Sequence, residues 1–199
     1  GDKGTSTIKD QFIRNSEISF ITKEIEKYKN QVNQKLVVLD VGCGNGYVLS
    51  VLSEMYPDFE FYGVEFTKEL FDIAQARNLK NVTFFNGDCR NTDFFSKKVD
   101  IIITERVLIN IFNPNERLIA VKNFYELLNK GGRYLLIESF VESWQNLNMA
   151  RKEMVLDTIP QSPQNRYIDE DFIKNIKEIG FKEINGVLPP NYLSTYFYM

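Results

Sequence analysis

The chain has 199 residues, 43% hydrophobic and 14% aromatic, enough to bury one sizeable core and suited to a single domain. Its formal net charge is −3 and it has no dense Lys/Arg run, so the basic face of a nucleic-acid binder is missing. No apolar run approaches the roughly 18 residues of a membrane span, and no signal peptide is visible.

In chain order, Ile8, Phe12, Ile13, Phe20, Ile21 and Ile25 fall near helical spacing, which predicts one or two helices over 8–29. Leu36–Val41 reads as a buried strand of continuous Val/Leu/Ile character. A helix is expected over 47–56, ended by Pro57, then a strand over 59–65 and a helix over 67–77 with Thr67 as its N-cap. "VTFFNGD" gives a third strand and "VDIIIT" a fourth. A helix over 114–129 has Pro114 in its first turn and closes at "KGG". "RYLLIES" is the fifth strand, and helices follow over about 145–156 and 169–179. "FKEINGVL" and "STYFYM" read as two final strands, an antiparallel pair because no helix separates them. The alternation implies right-handed βαβ crossovers: an α/β, Rossmann-like three-layer sandwich on a seven-stranded, mostly parallel sheet with an antiparallel last strand. The segment "TIPQSPQNRY", 158–167, is the most loop-like and could serve as a lid.

An open parallel sheet binds ligands at the carboxyl ends of its strands, and Asp40, the glycines of "GCGNG", Glu65, Asp88 and Glu105 all fall there. Each acid alone could be a turn or capping residue; four on one edge favour a site. The spacing Gly42-x-Gly44-x-Gly46 departs from a dinucleotide fingerprint, which wants its third glycine at position 47, where Tyr stands. Gly-Lys-Ser/Thr, the mark of a P-loop, is absent. The chain has no histidine, so Ser-His-Asp and Cys-His catalysis are excluded, and any acid or base must be Asp, Glu, Lys, Tyr or Cys. Cys43 and Cys89 show neither metal-ligand spacing nor a disulfide framework; no metal site is expected, and a cytoplasmic location is the default.

"VLDVGCGNG" followed by "FYGVE", "FFNGDC", "VDIIIT" and "LLNKGGRYLLIE" resembles the class I S-adenosylmethionine-dependent methyltransferases, in order from about residue 36 to 138. The resemblance implies S-adenosyl-L-methionine as cofactor and S-adenosyl-L-homocysteine as product. It implies that Asp40, Gly42, Cys43, Gly44, Asn45 and Gly46 form the loop under the methionine moiety. Glu65 would take both ribose hydroxyls, a task suited to a carboxylate because it accepts two hydrogen bonds and donates none. Phe66 would flank the adenine, unless it is ordinary core packing. Asp88, with Gly87 before it and Cys89 beside it, would accept from the adenine amino group; Cys89 could equally be an inert loop thiol. Lys9 or Arg14, on a helix expected to cap this edge, could reach the cofactor carboxylate, or could lie on a solvated face.

Thr104, Glu105 and Arg106 follow the fourth strand, where family members face the methyl group and the acceptor. The Asn/Asp-Pro-Pro-aromatic signature of base or glutamine amino-group methylation is missing there, as is the Pro-Cys pair of cytosine-C5 enzymes. This argues for a small-molecule or surface-glycan acceptor, methylated at oxygen. Glu105 is the first candidate base, Glu138 the second, and Arg106 or Arg151 would bind an ionised acceptor. Trp144, Asn148 and Arg151 at helical spacing, with Arg166 and Tyr167 in the following loop, are candidate acceptor contacts. The expected organisation is one domain: a helical cap over 1–33, a cofactor-binding core over 34–140, substrate-side helices and loop over 141–180, and a final strand pair over 181–199. It could be cut from a longer protein. Rival readings are a protein or RNA methyltransferase, a non-catalytic regulatory domain that binds the same cofactor, and a nicotinamide dehydrogenase. No nucleic-acid partner is expected, and oligomeric state is not readable.

Overall fold

A computed structural model describes residues 11–93 and 95–184. Five parallel strands form one sheet in the order β3-β2-β1-β4-β5. They are β1 (Val37–Val41), β2 (Glu60–Glu65), β3 (Val82–Asn86), β4 (Val99–Glu105) and β5 (Leu128–Ile137). Chain order runs outward from β1 to β3, then returns across it to β4, so a crevice opens between the carboxyl ends of β1 and β4.

The central strands are apolar on both faces, as strands covered by helices must be. Alternate residues serve opposite cores. Val38, Ile101, Ile103 and Leu135 point to one layer, with Ile21, Ile25 and Tyr28 of helix α1 (Gln11–Val32) and Leu49 and Leu52 of α2 (Tyr47–Met55). Leu39, Val41 and Ile102 point to the other, with Ala120, Val121 and Phe124 of α4 (Pro114–Leu127) and Phe172 and Ile176 of α6 (Glu170–Ile179). Phe61 and Phe124 are fully enclosed, and each contributes roughly 1.5–3 kcal/mol by leaving water. Helix α3 (Lys68–Gln75) lies along β2 and β3, with Ala74 its buried residue. α5 (Val141–Glu153) follows β5.

The caps follow local chemistry. Asn113 accepts from Asn115 N–H with Pro114 behind it, and Asp169 accepts from Phe172 N–H at 2.8 Å. Thr67 stands at the N-cap of α3 but makes no side-chain capping bond. The N-terminal segment gives one helix from Gln11, not two, and α5 starts four residues before its expected start. The expected seventh and sixth strands are not part of the described sheet, which has five: Phe181–Ile184 are not in a strand, and 185–199 lie outside the described residues, as does Lys9. Among the described residues, no helix is long and apolar enough to cross a membrane.

Candidate functional site

A cavity of about 880 Å³ opens along the carboxyl edge of β1, β2 and β4. Its floor is the loop between β1 and α2. Gly42, Gly44 and Gly46 have φ of 73°, 57° and 72°, the left-handed region that glycine tolerates at no steric cost. At Gly42 a Cβ would stand 2.3 Å from Val107 Cγ2, so this turn and the loop after β4 are in contact only because the side chain is missing.

The loop is strapped to β2. Gly42 and Cys43 donate their N–H groups to Val64 O at 2.7 and 3.0 Å. Glu65, at the end of β2, accepts from Gly44 N–H through Oε2 at 2.9 Å and from Thr67 N–H through Oε1 at 2.8 Å. Each carboxylate oxygen keeps a second lone pair. Phe66, next in sequence, is 69% exposed on the cavity wall, so it is a rim residue rather than core packing.

Acids gather deeper in. Asp40 is buried at the end of β1, and burial pushes its carboxyl well above the usual range, with Glu105 and Glu65 adding to the rise and Arg106 opposing it. Burial also pushes Glu105 up to about 7, helped by the neighbouring Glu17 carboxyl and opposed by Arg106. Arg106 pairs with Glu17 and reaches Glu105 at 3.5 Å. Its φ of 58° is unusual for a side chain of that size. Arg14 is buried on α1, with its guanidinium 4.8 Å from the Tyr47 ring centre.

Two buried polar atoms on this wall have no hydrogen-bond partner: Asn45 Nδ2 and Glu17 Oε2. A buried unsatisfied donor and acceptor are costly, and a ligand carrying both a carboxylate and an ammonium group would satisfy them. With spare lone pairs on the Glu65 carboxylate and an exposed ring at Phe66, the residues fit a nucleoside joined to an amino acid.

Other candidates are placed differently. Asp88, Gly87 and Cys89 line the cavity, but Asp88 is engaged by Arg90, whose hydrogen bonds hold its carboxyl below the usual range. Arg90 also pairs with Glu116. Burial pushes the Cys89 thiol up to about 12, which leaves it protonated. Thr104 is fully buried and its hydroxyl meets Tyr134 OH at 3.0 Å, away from the cavity wall. Glu138 is no free base: its carboxylate accepts from the N–H groups of Val107, Leu108 and Ile109, at 2.9, 3.0 and 3.3 Å. Trp144, Asn148 and Arg151 share a helix face as their spacing implies, but that face is turned to the chain rather than the cavity. Trp144 Nε1 and Asn148 Nδ2 donate to Ile159 O, Asn148 Oδ1 accepts from Ile159 N–H, and Arg151 Nε donates to Asp157 O. Tyr167 packs edge-on against Trp144. Arg166 stands over the Phe112 ring at 5.4 Å, beside the cavity wall.

Sequence reasoning missed Glu17, Arg90 and the wall at 109–113. Glu17 sits one helical turn after Arg14, and that spacing could have found it. The wall carries no chemical signature; "INIFN" reads as a linker between strand and helix.

Residues 38–132 match the methyltransferase domain family. Over that segment, just under half of the chain, it is similar to the class I S-adenosylmethionine-dependent methyltransferases. The chain is 31% identical over 112 residues to malonyl-[acyl-carrier protein] O-methyltransferase of Bacillus cereus, covering 56% of the chain and 40% of that protein. It is 22% identical to carboxy-S-adenosyl-L-methionine synthase of Campylobacter jejuni over 94% of the chain and 87% of that protein. The chain spans 40% and 55% of the length of the two malonyl-[acyl-carrier protein] methyltransferases it matches. The magnesium protoporphyrin IX methyltransferase of Synechocystis, solved with bound S-adenosylhomocysteine, shares the fold of this chain over 96% of the chain and 85% of its own, with a TM-score of 0.68 at 18% identity.

Proposed function

We propose that the chain binds S-adenosylmethionine along the glycine loop and transfers its methyl group to an oxygen of a small molecule, or of a sugar- or phosphate-containing surface-glycan precursor, in the cytoplasm. The observation that carries this reading is one continuous cavity running from Glu65 and the loop to Glu105 and the 109–113 wall, with room for donor and acceptor together. Glu65 takes the ribose hydroxyls on its spare lone pairs. Phe66 flanks the adenine. Asn45 Nδ2 donates to the amino-acid carboxylate, and Glu17 with Asp40 receives the ammonium group.

When bound, the cofactor supplies a methyl group on a sulfonium that leaves as a neutral thioether, so no acid is needed at the leaving group. The protein's part is alignment, which can lower the barrier by roughly 7–11 kcal/mol. Glu105 accepts the acceptor's hydroxyl proton. A carboxyl held at about 7 is about half ionised near neutral pH and is a stronger base than an exposed glutamate. Arg106 fixes Glu105 and Glu17 in place rather than binding the acceptor.

Calorimetric titration with S-adenosylmethionine and S-adenosylhomocysteine, with NAD as control, tests the cofactor reading. Micromolar binding of the first two and none of NAD is expected; binding of NAD alone would return the chain to the dehydrogenases. Formation of S-adenosylhomocysteine with a defined acceptor separates an enzyme from a regulatory module.

A further inference from the structure

The arginines near the cavity are almost all committed: Arg90 to Asp88 and Glu116, Arg106 to Glu17 and Glu105, and Arg117 through Nε to Ile111 O. Arg166 differs. Among the described residues no carboxylate lies within ion-pair distance of it, and its exposed guanidinium has no hydrogen-bond acceptor. Its contact is the Phe112 ring, 5.4 Å away, half exposed on the cavity wall.

The backbone beneath it is nevertheless fixed. Arg166 N–H donates to Ile109 O at 2.8 Å, and Asn165 Nδ2 donates to Asn110 Oδ1 at 2.8 Å. Asn110 Nδ2 in turn donates to Arg106 O. Two residues on, Ile168 N–H donates to Ser139 O. A planar guanidinium laid on an aromatic face keeps its edge donors outward, matched to the paired oxygens of a carboxylate or phosphate. The charge layout agrees. In the inner half of the cavity Arg14 and Arg106 stand among Glu17, Glu65, Asp40 and Glu105, the last two raised toward their neutral forms, so the positive charge there is already answered by carboxylates. Arg166 stands just outside the lining, beside Phe112 and Asn165, and carries a positive charge with no carboxylate partner among the described residues.

We propose that the methyl acceptor is an anion, a small molecule bearing a carboxylate or phosphate group, and that Arg166 on Phe112 binds that group while the nucleophile reaches toward Glu105. This rests on the methyltransferase reading and narrows it. The test is an amide NMR titration of the chain, saturated with S-adenosylhomocysteine, using inorganic phosphate and, separately, acetate at constant ionic strength. Saturable shifts at Phe112 and Arg166 with one or both anions are expected, and which anion saturates tells phosphate from carboxylate. In Arg166→Gln the dissociation constant should rise tenfold or more, and Arg166→Lys should fall between. Unsaturable shifts, or equal affinity in Arg166→Gln, would overturn the proposal. S-adenosylhomocysteine affinity of Arg166→Gln should equal that of the unaltered chain; if neither protein binds it, the cofactor reading has failed instead.

Discussion

The two halves of the cavity are built by different means. On the cofactor side each part hangs from a strand end. The glycine loop is strapped to Val64 and Glu65 within a few residues of where β1 and β2 stop. On the opposite side the wall at 109–113 depends on distant partners, and the segment that supplies them is itself held from α5. Trp144, Asn148 and Arg151 hold residues 157–159, and Asn165 and Arg166 hold the loop after β4. The first kind of wall is dictated by strand geometry and tolerates little variation. The second is a set of side-chain bonds that can be redrawn to suit another acceptor without disturbing the sheet.

Substitutions can sharpen that contrast. The largest effect is expected at their junction: Glu105→Gln should lower kcat about 10²–10⁴-fold for a hydroxyl acceptor. In the unaltered chain kcat/KM should rise with pH through about 7, and the variant should lose that limb. Stability moves the opposite way. A carboxyl raised from 4.5 to about 7 stabilises the fold fully below its unfolded value, and this contribution is lost as pH rises through about 7. Urea titrations at pH 5 and pH 8 should therefore show the unaltered chain losing stability relative to Glu105→Gln. A cofactor-side change, Glu65→Ala, should weaken S-adenosylhomocysteine binding on the order of 100-fold by calorimetry, because two charge-assisted hydrogen bonds are lost. An unchanged affinity would remove the ribose assignment.

Glu138→Ala should cost roughly 2–3 kcal/mol in chemical denaturation, since the N–H groups of Val107, Leu108 and Ile109 lose their acceptor. The smallest effect is expected behind the 109–113 wall, at a residue outside the cavity lining. Asn148→Ala removes two bonds to Ile159 and should raise acceptor KM a few-fold while leaving cofactor affinity alone. A matching loss of cofactor affinity would mean that the two walls are not independent.

The same contrast explains what could be read in advance. Apolar-rich runs placed β1 to β4 within two residues at each end, most plainly in β1 and β4, which are buried and have no polar face to confuse the pattern. The carboxyl edge followed from counting strands. What stayed hidden was set by distant contacts. The face of α5 was visible in the spacing of Trp144, Asn148 and Arg151, but nothing local says that it turns to residues 157–159. Its start at Val141 was masked because Phe140 offers no capping side chain and itself bridges to Ile168. Glu138 looked like a base because it follows a strand; its three backbone donors lie about thirty positions away in the chain.

The bond from Gly44 N–H to Glu65 makes one carboxylate serve two clients. The Gly44 amide proton is shielded while that oxygen holds it, and solvent can replace it only when the loop lifts away from β2. A single backbone amide is therefore a clock for the cradle. Its exchange rate in heavy water reads how often the floor of the cavity opens, and slower exchange on adding a ligand would record the grip on Glu65 from inside the protein.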